Sequence, residues 1–189
     1  MFFVSGITGK VGGAAATALL EKGKAVRTLV RDAQRAAGWA QKGVEVREGD
    51  LADAAALESP LEGVEGTFIM QPTPMAVTAD FPEAKGLTAS IKGALSKSSL
   101  PRLVVLSSVG SEKTSGLGNI TQTHLLEAAL VDIPIPTAIV RAGSFLENYA
   151  FGLERADRLL RQLPAANRPC CSHGRIAGDR EGSRSLACL

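Results

Sequence analysis

Short apolar runs rich in β-branched residues alternate along this chain with longer Ala/Leu segments. The runs at 2–5, 25–30, 44–48, 67–70, 102–107 and 136–141 predict six strands. Helices are predicted over 10–22, 33–42, 81–98 and 121–131, with a short one around 53–58. Gly23 and Gly43 follow the first two where a C-cap glycine belongs. Strand, helix and strand repeated at this pitch give right-handed βαβ units, so the expected fold is α/β, a doubly wound parallel sheet of Rossmann type. In such a sheet ligands sit beyond the carboxyl ends of the strands, which makes the residues just after each strand the informative ones.

The pattern stops after Leu163. Valine is absent from Arg141 onward, and "NRPCCSHGRIAGDREGSRSLACL" has neither helical nor alternating periodicity. Composition otherwise changes the picture little. With 189 residues one domain is expected, and 45% hydrophobic content with 4% aromatic suits a parallel sheet covered by helices. The net charge of +2 arises in residues 164–189, where four arginines face Asp179 and Glu181, so the body is neutral and lacks the charge signature of a nucleic-acid binder. No leader and no apolar stretch near 18 residues is visible, and a cytoplasmic protein with no membrane partner is expected. Cys170, Cys171 and Cys188 lack the spacing of a metal or redox site.

Behind the first apolar run stands "VSGITGKVGG", with Gly6, Gly9 and Gly12 at three-residue intervals. Glycine costs roughly 0.5–1 kcal/mol relative to alanine in regular structure, so three at a strand-to-helix junction answer a geometric need. Gly6 suits the tight turn, Gly9 a close approach of backbone to a pyrophosphate, and Gly12 the packing of helix against strand. The helix N-terminus then offers amides and partial positive charge to phosphates. A dinucleotide site is the expectation; a bare tight βα turn is the alternative.

The end of the second strand, "AVRTLVRD", bears on which dinucleotide. An arginine there pairs with the 2′-phosphate of NADP, and a carboxylate binds the ribose hydroxyls of NAD. Arg31 precedes Asp32, and its guanidinium fork matches a phosphate bidentately, so NADP is preferred, with Asp32 and NAD as the alternative and a solvated surface Arg31 as the third. Asp50 and Leu51, just after the third strand, are placed to flank the adenine; an Asp that caps the following helix fits as well.

"SGITGKVG", "LVRD", "GDL", "RLVVLSSVGSE" and "IVRAGSFLENY" occur in this order, and from Met1 to about Ala156 the chain resembles the NmrA-like, quinone-reductase-type branch of the atypical short-chain dehydrogenases/reductases. The resemblance implies an NAD(P)-binding Rossmann domain. It is either an NAD(P)H-dependent reductase of quinones or azo dyes, with a small-molecule acceptor, or a regulator that senses the cofactor and acts on a protein partner. It also implies that Gly6, Thr8, Gly9, Lys10, Val11, Arg31, Asp50 and Gln71 line the cofactor.

The superfamily's Tyr-x-x-x-Lys pair is missing: Tyr149 is the one tyrosine, and Leu153 stands four residues on. The lysine's place falls on His124 and the tyrosine's on Ile120. His124 then touches ribose or substrate, or is a partly buried helix histidine. Ser107 and Ser108 end the fifth strand at the ligand face, where a hydroxyl bonds cofactor or substrate or only closes a turn. Phe145 borders the nicotinamide pocket or is a core aromatic, and Glu127 and Glu147 read as surface or capping carboxylates. Hydride transfer without the pair remains feasible, because the hydride belongs to the cofactor and solvent can give the proton.

Family members continue well past 189 residues with a segment that completes the substrate pocket. Codons compatible with Arg158 to Arg175, read one base out of step, permit Gly-Cys-Phe-Asp-Ser-Phe-Leu-Gln-Pro-Thr-Asp-Arg-Ala-Val-Pro-Met-Val-Ala, which resembles that continuation. The expectation is a Rossmann domain over 1–157 and a frameshifted or irregular tail over 158–189, with the substrate-pocket part missing; beside the reductase and the cofactor-sensing regulator, an inactive fragment of either is then the third reading.

Overall fold

The computed structural model describes residues 1–74, 76 and 78–145. Residues Met1–Gly143 form one compact unit. The predicted division at residue 157, Glu147, Tyr149 and the tail lie outside the described residues.

All six predicted strands are present: β1 Phe2–Val4, β2 Val26–Val30, β3 Glu45–Glu48, β4 Gly66–Met70, β5 Leu103–Ser108 and β6 Thr137–Ala142. They form one parallel sheet in the order β3-β2-β1-β4-β5-β6. The helices are α1 Lys10–Glu21, α2 Ala37–Ala40, α3 Ala54–Leu61, α4 Pro82–Ser96 and α5 Thr121–Leu130. The chain leaves β1 toward β2 on one side and returns to β4 on the other, so the strand order reverses between β1 and β4. That reversal opens a crevice at their carboxyl ends.

The central strands β1, β2 and β4 are covered on both faces and read as largely apolar runs, whereas the edge strand β6 is exposed over Thr137–Arg141. On one face Leu57 and Leu61 of α3, Ile91 and Leu95 of α4, and Leu126 and Leu130 of α5 pack with Phe3, Ile69, Leu103 and Val105. On the other, Ala16 of α1 packs with Val4, Val26 and Val30, with Leu19, Leu20 and Trp39 against them. Gly23 at φ +68° and Gly43 at φ +84° take the left-handed conformation expected after the first two helices.

One predicted helix differs. Over 33–42 the chain makes a tight 3-10 turn, Ala33–Ala36, and only then the single α-helical turn α2. The Asp32 carboxylate accepts the Gln34 amide and so starts the tight turn, and Gly38 in α2 adds little helix propensity. The short helix predicted at 53–58 starts where expected, with Asp53 capping it through the Ala55 and Ala56 amides, and runs on to Leu61.

Candidate functional site

Each glycine of the first turn has a distinct geometric reason. Gly6 sits at φ +66°, and a Cβ there would lie 2.6 Å from the Met70 methyl. At Gly12 a Cβ would lie 2.3 Å from the Gly6 carbonyl oxygen and 2.6 Å from that of Ser5, so α1 approaches the end of β1 more closely than any side chain allows. Gly9 is the N-cap of α1; its own amide donates to the Gly6 carbonyl at 2.9 Å, and it has no side chain with which to cap the helix. The positive end of α1 is thus presented at the mouth of the crevice. Ser5 ties this corner to β4, its hydroxyl accepting from the Met70 amide at 2.7 Å and donating to the Met70 carbonyl at 3.2 Å.

A cleft of about 390 Å³ opens beside the turn. Of the residues expected from sequence it brings together Gly6, Thr8, Arg31, Asp50 and Leu51. Lys10 and Val11 open α1 just beyond Gly9, with Lys10 exposed and Val11 half-buried. Arg31 and Arg35 are both exposed on the cleft wall and form no ion pair among the described residues. Asp32 lines the same wall, but one of its oxygens already accepts the Gln34 amide. Asp50 likewise accepts the Ala52 amide at 3.0 Å, closing a turn; the helix cap that follows is Asp53. Leu29, Leu51 and Leu87 make part of the wall apolar.

Sequence reasoning missed Arg35, Leu87 and Gln122 as lining residues. Arg35 carried a readable signal, four residues after Arg31 in one turn. Leu87 and Gln122 carried none, since α4 and α5 reach the cleft only through the fold.

Other expected residues stand outside the cleft. Gln71 is 4% exposed; its carbonyl oxygen accepts the Thr88 hydroxyl at 3.1 Å and its amide group donates to the Gln122 carbonyl at 3.4 Å. Ser107 shares the face of β5 with Leu103 and Val105, and its buried hydroxyl lies beside Glu127 without a well-formed hydrogen bond. Ser108 is half-buried on the opposite face. His124 is half-buried on the first turn of α5, its Nδ1 2.7 Å from the Ser111 carbonyl oxygen. Phe145 belongs to the second unit, Ser144–Leu189.

Glu127 corrects a sequence expectation. It is not a surface or capping carboxylate: it is 7% exposed and clasped by Arg141, with Nε–Oε1 at 3.0 Å and Nη2–Oε2 at 2.7 Å. Residue type alone hid this, because the pairing depends on Arg141 standing opposite Ser107 in the β5–β6 register. Burial by itself raises the pKa of Glu127. The Arg141 clasp, the neighbouring Ser107 hydroxyl and the charges of Arg141 and His124 outweigh that and hold it below the usual carboxylate value.

A helix end without a side-chain cap, a turn with no room for side chains, an apolar wall and two guanidiniums without an ion partner among the described residues suit a phosphorylated dinucleotide. Among the described residues there is no group of His, Cys, Asp and Glu able to hold a metal ion, and no helix long and apolar enough to cross a membrane.

Comparison with known proteins agrees with this geometry. The sequence model of a family described as NAD(P)H-binding matches residues 6–151. Quinone oxidoreductase 2 of Escherichia coli is 28% identical over 151 residues, which cover 79% of this chain and 50% of that protein. A (4-alkanoyl-5-oxo-2,5-dihydrofuran-3-yl)methyl phosphate reductase of Streptomyces griseus is 32% identical over 149 residues, 78% of this chain and 49% of the relative. The crystal structure of the E. coli quinone oxidoreductase complexed with NADPH superposes with a TM-score of 0.70 at 25% identity, covering 82% of this chain and 53% of that one. A Citrobacter triphenylmethane reductase complexed with NADP(H), 21% identical, shares the fold with a TM-score of 0.68 over 84% of this chain and 55% of its own. The chain therefore spans about half the length of the curated relatives it matches.

Proposed function

This chain belongs to the NAD(P)H-binding family, and from that premise we propose that it is the cofactor-binding part of an NADPH-dependent reductase of quinone-like acceptors, placed in the cytoplasm. The observation that carries the cofactor preference is the wall after β2. Asp32, the carboxylate that would hold the ribose diol of NAD, has one oxygen engaged by the Gln34 amide, while Arg31 and Arg35 both line the cleft with no ion partner among the described residues. Two guanidinium forks suit a 2′-phosphate, and a diol offers them nothing comparable.

In this reading Gly6, Thr8, Gly9, Lys10, Val11 and Gly12 seat the diphosphate, and Leu51 and Leu87 cover the adenine with Asp50 at its edge. Gln71 braces that wall from beneath through Thr88 and Gln122, while Ser108 and His124 border the acceptor beyond the end of β5. When bound, the cofactor supplies a hydride. The chain binds and orients it, and a proton completes the reduction. The quinone class comes from the E. coli relative, whose name states that activity. The division at about residue 157 and the frameshifted tail belong to the same proposal, because the part that closes the acceptor pocket would follow it.

Calorimetric titration of this chain with NADPH and NADH, followed by NADPH oxidation with benzoquinone by a chain restored to the other reading frame after about residue 157, tests this. Tighter binding of NADPH and steady turnover are expected. NADH bound as tightly as NADPH would overturn the cofactor preference, and tight binding without turnover would overturn the reductase.

A further inference from the structure

One wall of the cleft is the segment that follows β4, where Pro72 and Pro74 line the cavity. Neither proline has an amide hydrogen, so at these positions the segment can be fastened only through its carbonyls. Gln122, 2% exposed on the first turn of α5, fastens it twice. Its side-chain amide donates to the Pro74 carbonyl at 3.2 Å and also to Asn119 Oδ1. Its main-chain carbonyl accepts from the Gln71 side chain at 3.4 Å, and Gln71 in turn accepts the Thr88 hydroxyl of α4 at 3.1 Å. Farther along, the Thr78 hydroxyl donates to the Glu83 carboxylate at 2.7 Å. The chain then enters α4 through Asp80 at φ +62° and Phe81 at φ +55°. Left-handed backbone at two residues that carry side chains persists only where the surroundings hold it.

A second cavity, of about 130 Å³, adjoins the cleft, and Pro74, Glu83, Ala84 and Gln122 line both. Pro74 therefore borders open space on two sides, and the hydrogen bond from Gln122, rather than close packing, decides where it stands. We propose that Gln122 is a positioning residue for the cofactor: by holding the Pro74 carbonyl it keeps this wall where the cleft can close on the adenine half of NADPH. The proposal rests on the cofactor reading given above. Without the donor, Pro74 can shift toward the smaller cavity, and ordering the wall again then opposes binding.

The test uses the full 189-residue chain. Q122M keeps the bulk of the side chain and removes the donor. In calorimetry its Kd for NADPH should rise about 10-fold, as expected for one lost buried hydrogen bond. Adenosine 2′,5′-bisphosphate, which is the adenine half alone, should lose affinity by the same factor. A merely structural role would lower Tm and leave the Kd of the folded chain unchanged. Amide hydrogen exchange without ligand should quicken about 10-fold in the peptide covering 71–81 and stay as in the parent over 1–13. P74A frees the same segment from its own backbone, so its effect on Kd combined with Q122M should fall short of the product of the two. An unchanged Kd, a bisphosphate affinity that is spared while NADPH weakens, or exchange that quickens equally in both peptides overturns the proposal. Should Q122M fail to fold, parent-like Kd and exchange in P74A overturn it. A parent that binds neither NADPH nor the bisphosphate, with exchange in Q122M quickened only over 71–81, removes the cofactor reading, and the positioning role falls with it.

Discussion

Gly12 shows how a single position can be decided by backbone alone. Its missing Cβ would lie 2.3 Å from the Gly6 carbonyl oxygen, and that atom is main chain, so no side-chain rotation can relieve the clash. G12A is expected to lower stability by about 1–3 kcal/mol in urea denaturation and to weaken NADPH binding, because α1 must retreat from the strand end. A stability unchanged within error would show that α1 yields without loss. Arg31 and Arg35 act through charge instead. Removing either is expected to weaken NADPH roughly 10-fold or more, as loss of a charge-assisted bond does, while leaving NADH unchanged in calorimetry. Equal losses for both cofactors would place these guanidiniums elsewhere than on the 2′-phosphate. The glycine spacing and Arg31 were legible from sequence because turn geometry and strand-end position are local. Leu87 and Gln122 were not, since nothing near them in the chain says that their helices reach the cleft.

At the level of elements, the join between α5 and β6 is the least predictable feature. Glu127 lies on the helix and Arg141 near the end of the strand, and they meet because β6 aligns with β5 residue for residue from Leu103↔Thr137 to Ser108↔Ala142. R141L leaves Glu127 buried without its clasp and is expected to lower the urea midpoint at neutral pH. The pH dependence has a definite sign. Glu127 has a lowered pKa in the folded chain, so the stability it contributes is complete above the ordinary carboxylate value and disappears as pH falls through the lowered one. Urea midpoints of the parent and R141L should therefore converge on acidification, and a gap independent of pH would contradict this account. Helix lengths were legible only in part. The tight turn after β2 exists because the Asp32 side chain competes for a backbone amide, which apolar periodicity does not register.

Across the whole molecule, the cleft is a property of strand order. β1 lies between β2 and β4 at the centre of the sheet, and the glycine turn leaves from the one place where the connections part to opposite faces. A ligand bound there should stabilise the folded chain by mass action. NADP⁺ at about one hundred times its Kd is expected to add about 2.7 kcal/mol, seen as a rise in Tm in a thermal melt, and no rise at that excess would argue against a cofactor site in this fold. By itself the sequence determined the alternation of strands and helices, the parallel sheet and the glycine turn, because apolar period and backbone freedom are written residue by residue. Tertiary structure alone decided that Arg35, Leu87 and Gln122 share a wall with Gly6 and that Glu127 is buried against Arg141. Those outcomes depend on strand order and on register between segments far apart in the chain, which no local pattern encodes.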